Sequence, residues 1–387
     1  MRNASRRNVL SASLAGLVGL VAGGVGGYFL RQPDTREIVS TITQTVQRGE
    51  TATRIQTELR TLTQTVTATA ARRPPTSEKI VVASASDAFS LQVLQQQHAT
   101  EVFKSMGYNA EHSLLGVRGS VSALTAKQAQ IWIGSTDEIA PVMEQGEDLV
   151  IVGGSSSLAY YVVVSSEINS LKDLEGKPFG ISRIGAVSHT IPVYMMKNAN
   201  VNIDRVQWIA VGGSGARAQA LLAGRIAGGI LIADIAWNTV AQSGGKLRML
   251  ATVADILPGR ILDQQPIIVY RDWAQKNPNV VMDFLRAKML ADAWACLNRD
   301  QYISMAAERG LGKVDKEGLE FYSAVYDMYR SKGYLPFYID LNSLPLQFGL
   351  AKEAGTITRD LDWKKYYQPE YFNKVVQGLM EYIPKAE

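Results

Sequence analysis

Two stretches in the middle of the chain place small residues where an apolar strand pattern turns into a helical one. In the first, Phe179-Gly180-Ile181 is followed by Gly185-Ala186-Val187-Ser188-His189 and an apolar-periodic run. In the second, "WIAVGGSGARAQ" (208–219) repeats the arrangement around Ser214. A helix that starts in such a loop leaves its first backbone N–H groups without intrahelical partners. Its positive end then favours an anion. Arg118 and Arg183 stand beside small-residue loops, where a guanidinium can grip a carboxylate or sulfonate with two hydrogen bonds. Both arginines read equally well as solvated surface residues. Tyr160-Tyr161 and Trp237 are candidates for lining a cleft and stacking on a ring or alkyl chain. On a strand the two tyrosines point opposite ways, so one of them at most, taken as Tyr160, faces a ligand. Asp234, at the end of "ILIAD", joins this candidate set.

These groups suit binding better than turnover. The chain has no Ser/His/Asp set, no GxSxG elbow and no phosphate-cradling GxxxxGK[ST]. His189 has the chemistry of a general base but no evident partner. Its three histidines (His98, His112, His189) are scattered, without HExxH or CxxC, so no metal and no cofactor is expected. The single cysteine, Cys296, lies in an apolar-periodic helix and reads as an inert thiol.

The elements that must position the candidates alternate from residue 79 onward. "KIVVAS" reads as a strand, "AFSLQVLQQQHATEVFKSMG" as a helix, "YNAEHSLL" as a strand, "GSVSALTAK" as a helix and "QIWIG" as a strand. Such alternation implies a parallel sheet covered by helices, with ligands beyond the carboxyl ends of the strands. Small polar residues stand at those ends: Ser84, Ser86 and Asp87 after the first strand, Ser135 and Thr136 after the third. They serve as well for helix N-caps as for ligand contacts. A repeat, "ALTAKQAQIWIGS" (123–135) and "ALLAGRIAGGILIA" (220–233), points to two similar lobes.

Charge divides the 387 residues in two. Residues 1–78 hold ten Arg and no Lys against five Asp/Glu, and the remainder carries 30 basic and 31 acidic residues. The near-neutral body offers no case for nucleic-acid binding. At the N-terminus, Arg6-Arg7 precede 23 uncharged residues, Asn8 to Leu30, long enough to span a bilayer but rich in glycine. Ser5-Arg6-Arg7-Asn8-Val9-Leu10 resembles a twin-arginine export signal, and residues 1–30 are expected to direct export and either stay as an anchor or be cleaved. Residues 31–78 read as a low-complexity Thr/Gln/Arg stalk, closed by Pro74-Pro75.

"SLKDLEGKPFGISRIGAVSH", "WIAVGGSGARAQALLAGRIAGGIL" and "PIIVYRDWAQKNPNVVMDFLRA" resemble the substrate-binding proteins of ABC importers, in the nitrate/sulfonate/taurine-type group. The resemblance covers about residues 79–380. It implies an α/β, two-lobed type II periplasmic-binding-protein fold with a hinge, preceded here by the N-terminal hydrophobic helix and Thr-rich stalk. The expected lobes are 79–167 with 268–387, and 168–267. The implied partners are a small-molecule ligand, an ABC permease and its ATPase outside the cytoplasm, with the membrane reached through the N-terminus. A small organic anion (a sulfonate, taurine or nitrate-like) is the ligand the resemblance implies. A neutral vitamin precursor, or an enzyme of the same fold acting on a small heterocycle, is the alternative. Two departures bear on the ligand. Gly185-Ala186 replaces the family's Gly-Ser or Gly-Thr, leaving Ser188 to supply a hydroxyl, and Gln130 and Ala227 stand where the family has Asp.

Overall fold

The computed structural model describes residues 78–380, apart from 87–88, 158–159, 253–254, 256–263, 313, 332–343 and 354. The export segment, the stalk up to residue 77, Asp87 and the last seven residues lie outside the described residues.

The expected alternation is present. Strand β1 (Ile80–Ser84) leads to helix α1 (Leu91–Ser105), β2 (Ala110–Leu114) to α2 (Gly116–Thr125), and β3 (Ile131–Ile133) to α3 (Thr136–Glu144). Then come β4 (Leu149–Ser157), β5 (Tyr160–Ser165) and β6 (Pro178–Ile181), followed by α4 (Val187–Asn198) and β7 (Gln207–Ala210). After them stand α5 (Ser214–Leu222), β8 (Gly228–Ile232), α6 (Ala233–Gln242), β9 (Leu247–Thr252) and β10 (Gln264–Tyr270). The chain continues through α7 (Arg271–Lys276), α8 (Pro278–Leu297), α9 (Arg299–Leu311), α10 (Lys316–Ser331), α11 (Leu344–Glu353) and α12 (Glu370–Met380).

The strands form two five-stranded sheets, in the orders β2-β1-β3-β10-β4 and β7-β6-β8-β5-β9. The orders are the same arrangement used twice. In each sheet two parallel pairings surround the first strand of its unit, and the fourth place is taken by an antiparallel strand. That strand comes from across the molecule. β5 follows β4 of the first sheet and joins the second, while β10 follows β9 of the second and joins the first. The two repeat copies run from the end of α2 into β3 and from the end of α5 into β8, the same step of each sheet.

Both sheets are buried on both faces, as parallel strands require. Under the first, Phe103, Phe284, Leu285 and Val375 fill one side, and Leu124, Ile139, Met143 and Phe348 the other. Under the second, Ile191, Met195 and Met196 of α4 face one side, and Ala218, Leu221 and Ala236 of α5 and α6 the other. A fifth cluster ties the halves together. Tyr302, Tyr322, Tyr326 and Tyr329 of α9 and α10 pack with Leu91 and Leu94 of α1 and Ala233 of α6. Asn277-Pro278 does stop one helix and start another, with Pro278 at the first turn of α8, where its missing N–H costs nothing. The residues before it close into the short α7.

One polar group sits deep in α8. Lys288 Nζ donates to both Asp292 oxygens at 2.5 Å, with both side chains buried. Burial lowers the lysine and raises the Asp292 carboxyl to about 6, while each partner opposes the shift of the other. Removing one member takes from the other its buried charge partner. Asp292→Ala is therefore expected to lower unfolding free energy by about 3–5 kcal/mol, measured by urea denaturation. The double change Lys288→Met with Asp292→Leu should recover most of that loss. A double variant as unstable as Asp292→Ala would show that the pair does not account for the cost.

Candidate functional site

The helix starts expected near Ser188 and Ser214 are at Val187 and Ser214. Gly185 has φ of +81°, a conformation that a residue with a Cβ rarely takes, and it turns the chain from β6 into α4. Its N–H donates to His189 Nδ1 at 3.2 Å, which leaves that nitrogen unprotonated and the ring edge-on to Trp208. The Ser188 hydroxyl is engaged inside the same loop, bonded to Ser182 N at 2.8 Å and to Ser182 Oγ at 2.7 Å. Ser214 Oγ accepts from the buried guanidinium of Arg217, which also donates to the carbonyls of Ile230 and Gly212.

What reaches the start of α4 comes from the other sheet. Asp137, the second residue of α3, accepts from Val187 N through Oδ2 at 2.9 Å. Arg183 Nη2 lies 4.0 Å from the same oxygen. The matching contact runs the other way. Asp234, the second residue of α6, accepts from Leu91 N through Oδ2 at 2.9 Å. Leu91 is the first residue of α1, as Val187 is of α4. Each carboxyl therefore lies at the positive end of a helix belonging to the opposite sheet. Thr356 adds a third bridge, its hydroxyl donating to Gly185 O at 2.8 Å.

Both carboxyls are buried, Asp137 at 6% and Asp234 at 4% exposure. Burial pushes Asp137 up to about 6, with Arg183 and the Val187 N–H pulling it down. Burial pushes Asp234 to about 7 against its backbone donors. Among the described residues, Oδ1 of each has no hydrogen-bond partner. The same is true of Trp237 Nε1, one turn along α6 from Asp234, and of both Gln95 amide atoms, one turn along α1 from Leu91.

The other candidates divide between this seam and its surroundings. Ser135 is the N-cap of α3, in a capping box with Glu138, and Thr136 bonds to Gln347 of α11. Ala186 caps α4. Ser84 is buried at the end of β1, bonded to Ser86 N at 3.4 Å, while Ser90 rather than either serine caps α1. Tyr160 is buried in the cluster under α4 and Tyr161 packs against the clusters on the opposite side, so the two do face apart. Arg118 is exposed on the first turn of α2. An open groove of about 690 Å³ lies elsewhere, lined by Lys79, Thr100, Glu101, Lys104, His112 and Arg309 among others, and includes none of the candidates. It is a mixed-charge surface rather than a meeting of the two sheets, so the seam is the better site. Among the described residues no group of His, Cys, Asp or Glu is placed to hold a metal, and no helix is long and apolar enough to cross a membrane.

Two α/β units, each with the same strand order and each completed by a strand from the other, define a periplasmic-binding-protein fold. The comparisons agree. The family model described as NMT1/THI5 like matches residues 117–300. The periplasmic aliphatic sulphonate binding protein SsuA from Escherichia coli is 18% identical at a TM-score of 0.59, covering 77% of this chain and 100% of that one. The ligand binding component of an ABC-type import system from Staphylococcus aureus is 12% identical at 0.61, covering 77% and 99%. A DszB mutant in complex with biphenyl-2-sulfinic acid is 14% identical at 0.57, covering 78% and 100%. No curated protein matches the sequence. The fold that the resemblance implied is thus the one these solved structures share.

Two outcomes follow from this geometry. Gly185→Val is expected to cost about 1–3 kcal/mol in stability, because a branched side chain is strained at that φ. A denaturation midpoint equal to the parent's would mean that the loop relaxes freely. The second concerns pH. The Asp234 carboxyl binds its proton more tightly in the folded protein, near 7, than the reference 3.8. Its contribution is full below about 4 and is lost as pH rises through about 7. Asp234→Asn has no such dependence, so the parent should gain on it by more than about 1 kcal/mol between pH about 8 and about 5. The buried His112, held down to about 4, works in the opposite direction but is common to both proteins. A stability difference that does not move with pH would mean that Asp234 is solvated.

Proposed function

We propose that this chain is the solute-binding component of an ABC importer. It captures a small polar solute between two lobes and hands it to a permease and its ATPase. The observation that carries the reading is the meeting of helix N-termini from both sheets, across a boundary the chain crosses twice. The proposed lobes follow sheet membership, with the chain passing over between Ser157 and Tyr160 and back between Thr252 and Gln264. One lobe is 78–157 with 264–380, and the other is 160–252. The groups gathered at the seam are backbone N–H, carboxyl, amide and indole groups, which hold a solute but lack a nucleophile paired with a base. His189 has its Nδ1 committed to its own loop.

The location we propose is extracytoplasmic, reached through the twin-arginine-like segment and held by it as an anchor. The sulfonate-type anion suggested by the resemblance would have to settle at helix N-termini that already carry Asp137 and Asp234. We therefore take the solute as small and polar without assigning it a negative charge on the relatives' account.

Native protein, denatured after purification and examined by mass spectrometry, should release a stoichiometric small molecule. Adding that molecule back should shrink the radius of gyration of the ligand-stripped protein in small-angle scattering, as closure of a hinge requires. A preparation that releases no solute, or a radius that stays constant when the released solute saturates the protein, would end the reading.

A further inference from the structure

Asp137 and Asp234 are the same residue used twice. Each is second in the helix that follows the third strand of its unit, and each accepts from the first N–H of the helix that follows the first strand of the other unit. Those two N-termini, on helices of 15 and 12 residues, are where an anionic solute would find its partial positive charge. The protein has filled both with its own carboxyls.

The second oxygens point to what is bound. Oδ1 of each side chain is buried and has no partner among the described residues. A buried carboxyl oxygen without a donor is costly, and native proteins rarely leave one so. Gln95 and Trp237 repeat the deficit on the two helices that flank the Asp234 contact, with one amide and one indole N–H unmet. Buried oxygens of this kind call for N–H or O–H donors. An incoming sulfonate or carboxylate offers only further acceptors and like charge.

We propose that Asp137 and Asp234 set the specificity of the site, shutting out anions and admitting a small neutral or cationic solute that presents N–H donors to the two carboxyls. This rests on the solute-binding reading and sharpens it. Charged amidine or amine groups fit, because N–H donors to an ionised carboxyl form the stronger class of hydrogen bond. The Trp237 indole and the Gln95 amide supply donors that orient an acceptor on the same solute.

Calorimetry on the full chain, with ethanesulfonate as the anionic probe and benzamidine as the cationic one, tests the assignment. The parent is expected to bind ethanesulfonate at least tenfold more weakly than Asp137→Ala and Asp234→Ala do, since each change frees a helix N-terminus. Benzamidine affinity should move the opposite way in the same variants. Should alanine unfold the chain, asparagine keeps an oxygen for the backbone N–H while removing the charge, and the same two signs are expected. Circular dichroism confirms the fold in each case. A parent that binds ethanesulfonate as tightly as its variants overturns the proposal, and so does a native solute that proves to be an anion. Either result leaves solute binding intact, whereas a protein that binds neither probe and releases no solute ends both readings.

Discussion

The strand that each half lends to the other constrains everything else in this molecule. β5 lies between β8 and β9, and β10 lies between β3 and β4, each hydrogen-bonded on both sides. Neither can leave its sheet without breaking two ladders at once. The halves are thus interlocked and cannot separate as independent domains.

Because both sheets have one strand order, both present the same helices to the seam. The helices after the first and third strands of each unit meet their counterparts there, and the symmetry is kept down to atoms. An acid in the first turn of α3 is already favoured by its own helix, as is one in the first turn of α6. Each gains a second helix end across the seam. Two favourable helix ends offset part of the desolvation that raises both carboxyls, yet not all of it, since both remain above the normal range. The tyrosine-rich cluster of α9 and α10 supplies the apolar backing, touching α1 and α6 together. It joins the two halves on one side of the Asp234 contact.

Local pattern carried much of this into the sequence. The alternation of periods places strands and helices, the small residues mark the start of α4, and Gly185 announces its positive φ. The repeat pointed to paired lobes, and it held more than its quoted ends. Continued without a gap, "IWIGSTD" falls against "GGILIAD" with Asp137 opposite Asp234. Asp234 was thus a legible candidate and Asp137 was legible only through its twin. Strand exchange was not readable, because nothing local in "YYVVVS" or "QQPIIVY" says which sheet accepts it. The fate of Ser188 was likewise hidden. Its hydroxyl has the right type and place for a ligand, but Ser182, six residues back, lies within reach only once the loop has folded.

Ligand charge is where family likeness and local chemistry part. A carboxyl fixed in the fold competes for its helix end intramolecularly, so a free anion must displace it at each of two sites. Burial weakens that competition, since a group that ionises only near 6 or 7 is a poorer occupant than a solvated one. A cation reverses the balance. It restores the charged form, meets the unpaired oxygens and leaves both backbone contacts in place. The helix ends then act at one remove, holding the carboxyls that hold the solute. Helix N-termini that would otherwise favour an anion can in this way be turned to a ligand of opposite character by two residues, with no change in the backbone.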